Sequence, residues 1–164
     1  MIFVTIGSAP HDFSRLIEKI DEIAPLLQEE FIVQLGFTKY RPLNVKWFDF
    51  VPYQEALNYF KSARLIIGHA SAGPIMHARE FHKPVIIVPR NGDLGEHVDN
   101  HQIETAQAVE GLTEFIEVIF NIEDLLSVIK KTLNKNISPE KYEKSKSLDS
   151  LIQYIKEYII SLEK

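Results

Sequence analysis

The chain of 164 residues contains no cysteine. Its absence excludes thiol nucleophiles, zinc ribbons and disulfide staples, and fits a reducing compartment. No apolar run approaches the roughly 20 residues that a membrane-spanning helix needs. The apolar start, Met1-Ile2-Phe3-Val4-Thr5-Ile6-Gly7, is too short for a signal segment and reads as a first strand, so any membrane association is expected to be peripheral. Basic charge is in deficit, with 18 Lys and Arg against 23 Asp and Glu and a formal net charge of -5. The short basic clusters, Lys130-Lys131 and Lys141 to Lys146, are diluted by neighbouring acids, which argues against a general nucleic-acid binder. Signatures are missing too. Gly7-Ser8-Ala9-Pro10-His11-Asp12 lacks the second and third glycines of G-x-G-x-x-G, so a dinucleotide-dependent dehydrogenase is disfavoured. Neither a G-x-S-x-G elbow nor an H-E-x-x-H pair occurs, and there is no internal repeat or low-complexity tract.

What is present is an alternation. Apolar runs of strand length fall at Ile2 to Ile6, Phe31 to Leu35, Val45 to Phe50, Arg64 to Gly68, Pro84 to Val88 and Phe115 to Ile119. Helical patterns run between them, at Phe13 to Ile23, Tyr53 to Ser62, Pro74 to Phe81, His101 to Val109 and Ile122 to Leu133. Strands that alternate with helices predict an α/β protein with a doubly wound, Rossmann-like parallel sheet whose ligand crevice lies beyond the C-terminal strand ends. The length suits a single domain over 1–164. An Asn/Ser/Pro cluster at 134–139 marks a break before a C-terminal helix over 140–163, with Ser138 as cap and Pro139 in the first turn. Leu148, Leu151, Ile152, Ile155, Ile159 and Leu162 form its apolar stripe, which either packs on the sheet or docks a partner.

Two segments carry chemistry. The run Arg64 to Met76 reads as a buried strand, then a small-residue loop opening a helix, which aims helix N-terminal amides at an anion above the strand end. Ser71, Ala72 and Gly73 keep that loop low, and His69 is expected to reach a phosphate oxygen. Gly7 and Ser8 close the first strand at the neighbouring position. After the next strand, Gly95-Glu96-His97-Val98-Asp99-Asn100-His101-Gln102 concentrates charged and amide groups. Asn100, His101 and Gln102 can each donate and accept as sugar hydroxyls require. Phosphate cradle and polar clamp at adjacent strand ends suggest one site for a nucleotide sugar. His97 and His101, four apart with Glu96 and Asp99 nearby, raise the question of a metal. The missing H-E-x-x-H and the helix-breaking Gly95 make none expected. No nucleophile or general base stands out, and His69 and His97 are the candidate catalytic imidazoles.

These residues also carry a resemblance. Met1 to Gly7 with Phe13-Ser14-Arg15-Leu16-Ile17, then Trp47 to Phe50, Ile67 to Ile75, Lys83 to Arg90 and Gly95 to Gln102, taken in order, resemble the C-terminal domain of family 28 glycosyltransferases. They look most like its free-standing members, the catalytic subunit of the dolichol-linked N-acetylglucosamine transferase and the small subunits of two-part capsule and exopolysaccharide glycosyltransferases. The resemblance implies half of an inverting, metal-independent GT-B hexosyltransferase that takes a UDP-sugar as substrate and needs no cofactor. The other half, an acceptor-binding subunit, is implied on a separate membrane-anchored chain, leaving this one cytoplasmic and peripheral to the membrane. By position, Gly7, Ser8 and the loop His69, Ala70, Ser71, Ala72 and Gly73 would cradle the diphosphate. Backbone near Phe50 and Val51 would meet the uracil, and His101 with Gln102 would hold sugar hydroxyls. His77, Arg90, Glu96, His97 and Asn100 complete the implied donor site. Three positions depart from the family pattern: Ser71 replaces a glycine, Pro74 a Ser or Thr, and His77 a ribose-binding glutamate. A non-catalytic stabilising subunit and a free-standing nucleotide-binding protein therefore stay open as alternatives.

Overall fold

All six expected strands form and all pair in parallel. In the computed structural model, which describes residues 1–142, 149, 150, 152 and 153, they are β1 (Ile2–Thr5), β2 (Phe31–Gln34), β3 (Lys46–Phe48), β4 (Leu65–Gly68), β5 (Val85–Ile87) and β6 (Ile116–Val118). The sheet order is β3-β2-β1-β4-β5-β6. Helices α1 (Ser14–Ile23), α2 (Tyr53–Ser62), α3 (Ala72–Glu80), α4 (His101–Val109) and α5 (Leu125–Leu133) cover it.

The two-residue period of a strand sorts the core into two layers. Ile2, Val4 and Ile6 point to one face, where Leu16, Ile17 and Ile20 of α1 and Leu125 and Ile129 of α5 bury them. Phe3, Ile66, Val85 and Ile87 point to the other, against Phe60 of α2, Ile75 and Ala78 of α3, and Ala106 and Val109 of α4. Central strands buried on both faces explain why β1 and β4 read as unbroken apolar runs rather than alternating ones. α1 shows the matching helical logic, with Leu16, Ile17, Ile20 and Ile23 on one stripe and a 3₁₀ turn containing Pro25 ending it.

Several boundaries differ from expectation. β3 stops at Phe48, leaving Phe50 and Val51 in the connection to α2. α3 starts two residues before Pro74, so the proline sits in the first turn, where its missing N–H breaks no helical bond. The helix packs hard on the strand end: a Cβ at Gly68 would lie 2.7 Å from Pro74 Cβ. Residues Ile122–Asp124 form a 3₁₀ turn, so α5 begins only at Leu125. The helix expected from 140 onward does not begin there. Pro139–Tyr142 is a 3₁₀ turn that swings the Tyr142 ring onto Phe115, with ring centres 4.8 Å apart. Of the stripe, Ile152 is buried in the second core layer and Asp149 pairs with Arg79 on α3. Leu148, Leu151, Ile155, Ile159 and Leu162 lie outside the described residues. Among the described residues, no helix is long and apolar enough to cross a membrane.

β1 lies between β2 and β4, and the chain leaves β1 toward one face and β4 toward the other. The two loops therefore diverge and open a crevice at the C-terminal edge.

Candidate functional site

The floor of the crevice is a contact between a glycine and an imidazole. Gly7 adopts φ +75, and a Cβ there would lie 2.7 Å from His69 Cε1 and 2.9 Å from Nε2. Only glycine serves, for both conformational and steric reasons. We expect Gly7→Ala to destabilise the protein by about 1–3 kcal/mol through left-handed strain alone, with further loss from displacing His69. Thermal denaturation checks this, and an unchanged transition would mean that the two loops can separate freely.

His69 is 9% exposed, and its Nδ1 has no hydrogen-bond partner among the described residues. Burial, reinforced by the nearby Arg90 charge, pushes its pKa down to about 3. The ring is neutral at physiological pH and turned against Gly7. It carries no charge toward the crevice, so a contact with an anion there would be that of a neutral imidazole. Beyond it, Ser71 N–H donates to the His69 carbonyl at 2.9 Å, and α3 begins at Ala72. Gly73 is open, since a Cβ there would meet only Ser71 Oγ at 4.0 Å, and Ser8 is exposed beside Gly7. The first turn of α3 thus presents free amides at the crevice, less the one that Pro74 lacks.

Aromatic rings flank the sheet's β3 side. Phe50 is exposed and packs on Phe37, with ring centres 5.1 Å apart, while Val51 is half-buried. His77 lies on the second turn of α3, its ring 4.7 Å from that of Phe60 and 6.1 Å from that of Tyr53.

The polar segment after β5 behaves differently from its sequence reading. Arg90 is fully buried, and its Nη1 donates to the carbonyls of His11, Asp12 and Glu96, each at 3.1 Å. Its Nη2 donates to Ile6 O at 3.0 Å. Burial lowers its pKa to about 10, opposed by the Glu96 and Asp12 charges, so it stays cationic at neutral pH. Glu96 is buried too, gripped by Arg15 at 2.7 and 2.9 Å, and accepts from Asn91 N–H. Gln102 Oε1 accepts from Arg90 N–H at 3.1 Å, and Asn100 Oδ1 from Gly92 N–H at 2.8 Å. Arg90 and Glu96, and the acceptor ends of Asn100 and Gln102, are thus taken up by the protein itself rather than pointed at a ligand. The reason is physical: a loop with little regular structure leaves buried backbone groups that side chains must satisfy.

His97 and His101 remain half-buried at the rim. Asp99 Oδ1 lies 3.1 Å from His97 Nδ1 and 2.5 Å from His101 Nδ1. Burial, and then the charge of His101, lowers the His97 pKa. Although burial opposes it, hydrogen bonding from His101 holds the Asp99 carboxyl below its usual range. His11 and Arg15 belong to this assembly yet are not singled out from sequence as site residues, and Asp99 is weighed there only as a metal ligand. A histidine in the loop after the first strand is the one sequence signal that could have found the first.

Comparison with known proteins places this architecture. A model of the glycosyltransferase family 28 C-terminal domain matches residues 1–157. No curated protein matches the sequence. Among solved structures, the NMR solution structure of ALG13 is 18% identical with a TM-score of 0.59, covering 94% of this chain and 96% of that one. MurG from Acinetobacter baumannii is 13% identical, TM-score 0.60, with 96% of this chain and 49% of MurG covered. The glycotransferase of kitacinnamycin is 17% identical, TM-score 0.61, with 94% and 38% covered. The chain thus spans under half the length of the last two, while ALG13 is of similar extent. Sheet order, the diverging β1 and β4 loops and the match over nearly the whole sequence agree: this chain belongs to the glycosyltransferase family 28 C-terminal domain family, with the Rossmann-like fold of the C-terminal half of GT-B glycosyltransferases.

Proposed function

We propose that this chain binds a UDP-sugar in the crevice and forms the donor half of a two-subunit, inverting glycosyltransferase. The observation that carries this reading is the junction of Gly7 with His69 in front of the open first turn of α3. That turn can receive a diphosphate on backbone amides, with no clustered basic side chains. As the acceptor hydroxyl attacks the anomeric carbon, negative charge builds on the departing diphosphate, where preorganised amides stabilise it most. The exposed Phe50 and half-buried Val51 offer a surface for the base, and His101 and the amide end of Gln102 face the sugar. Arg90 and Glu96 hold the loop that presents them. The acceptor, and the base that deprotonates it, come from a membrane-anchored partner, which would keep this chain at the cytoplasmic face. The sugar is a hexose such as N-acetylglucosamine, and the acceptor a lipid-linked or polysaccharide precursor.

Isothermal titration tests this directly. UDP should bind more tightly than ATP or NAD, and His101→Ala should weaken a UDP-sugar by about 0.5–1.5 kcal/mol per lost hydrogen bond while sparing UDP. The chain alone should transfer no sugar, and activity should appear on adding the partner. Preference for ATP or NAD would overturn the donor assignment, and robust transfer without a partner would overturn the two-subunit reading. Two features favour a second reading, a stabilising subunit that holds donor weakly: Pro74 removes an amide from the α3 turn, and the His77 ring lies tilted against Phe60 and stacked on Phe81. In that case neither UDP nor UDP-sugar would bind, yet the partner's activity would still depend on this chain.

A further inference from the structure

Beyond the sugar contact proposed for His101, the histidines at the rim form a cluster with Asp99. One ligand atom each from His97, Asp99 and His101 lies within 4.8 Å of the others. The sequence makes no ion expected here, because H-E-x-x-H is missing and Gly95 breaks the helix that would bring His97 and His101 onto one face. In the structure His101 is the first residue of α4, whereas His97 and Asp99 lie in the preceding loop, and the loop folds the three together. Beside this group, on the β1–α1 loop, stands His11, its ring centre 5.3 Å from that of His97. The His97 and His101 ring centres are 4.5 Å apart.

We propose that His11, His97, Asp99 and His101 bind a divalent transition-metal ion of the zinc class. Zn–N bonds of about 2.0–2.1 Å in tetrahedral geometry place two ligating rings about 5 Å centre to centre, between the two spacings observed. Three imidazoles and one carboxylate form a donor set suited to zinc, nickel or cobalt rather than to magnesium or calcium, which prefer oxygen. The ligands sit in a prepared frame. Glu96, held by Arg15, and Asn100, bound to Gly92 N–H, fix the loop on either side of His97 and Asp99. Arg90 fastens the loop carrying His11 through that residue's own carbonyl. An ion there would tie the β1–α1 loop to the loop after β5 at the edge of the crevice.

The test uses the full chain without an affinity tag, stripped with chelator and dialysed, in the absence of any nucleotide. Zn²⁺ is titrated by calorimetry and Co²⁺ by its visible absorption. One ion per chain should bind, with the Co²⁺ spectrum of a tetrahedral nitrogen and oxygen site. His97→Ala, His101→Ala and His11→Ala should each weaken it by more than the roughly tenfold that loss of an outer partner costs. His82→Ala, before β5 at the opposite end of the sheet, should leave binding unchanged. Circular dichroism on each variant separates misfolding from ligand loss. Absence of saturable 1:1 binding, or equal binding by the His97→Ala and His101→Ala proteins, would overturn the site. Because nucleotide plays no part, failure here and failure of the donor reading are read independently.

Discussion

Replacing Arg90 with leucine should cost about 3–5 kcal/mol of folding stability, the range for breaking a buried charge arrangement from one side. The guanidinium joins four backbone carbonyls from three parts of the chain: Ile6 after β1, His11 and Asp12 in the β1–α1 loop, and Glu96 after β5. Phe13 caps it, the guanidinium carbon standing 4.6 Å from the ring centre. Leucine fills part of the space but leaves those carbonyls without a donor. For a domain of this length, a loss of that size lowers the melting temperature by about 6–20 °C. Arg90→Lys should recover little, because one ammonium cannot reach four acceptors in a planar fork. Chemical denaturation of both variants measures the effect, and a loss under about 1 kcal/mol would show that water replaces the guanidinium at little cost. The same substitutions should blur the histidine cluster, since the Arg90 guanidinium is what holds the His11 carbonyl in place.

Acid should destabilise the protein through His69, and more steeply than carboxylate chemistry alone produces. The unfolded chain takes up a proton at this residue below about pH 6.5, whereas the folded ring refuses one until about pH 3. Between those values the unfolded state holds the extra proton, so stability rises with pH and falls as pH drops, by up to about 1.4 kcal/mol per unit. From pH 7 to 4.5 the contribution amounts to about 2.5–3 kcal/mol. Asp12, Asp21 and Glu117 also titrate below their usual values and add their own acid losses at lower pH. They are common to wild type and His69→Gln, so the difference between the two stability curves isolates the imidazole. The gap should narrow on acidification as wild type loses its advantage. Parallel curves from pH 7 to 4.5 would mean that the folded ring accepts a proton readily, and that His69 can meet a phosphate as a cation after all.

The sequence by itself determined the sheet and its two covering layers. Unbroken apolar runs such as Leu65-Ile66-Ile67 can be satisfied only by a strand buried on both faces, and the stripe Leu16, Ile17, Ile20 and Ile23 only by a helix lying on one. It also located the crevice, because the small residues after β1 and β4 mark the strand ends where the chain changes face. What each polar side chain does there was decided by the tertiary structure. Arg90 and Glu96 are ligand-facing groups by the family resemblance, and Asn100 and Gln102 by their capacity to donate to and accept from hydroxyls. Yet the loop from 88 to 100 carries buried amides and carbonyls that no strand or helix satisfies, and these side chains are the nearest partners. The histidines show the converse. His11 and His97 are separated by most of the sheet along the chain, and no local periodicity connects them. They meet because β1 and β5 end at the same edge, with only β4 between them. Local patterns report the burial of each segment, since burial depends on one segment's own period. A pairing between two loops depends on strand order and on which backbone groups remain unsatisfied, quantities that exist only once the sheet has closed.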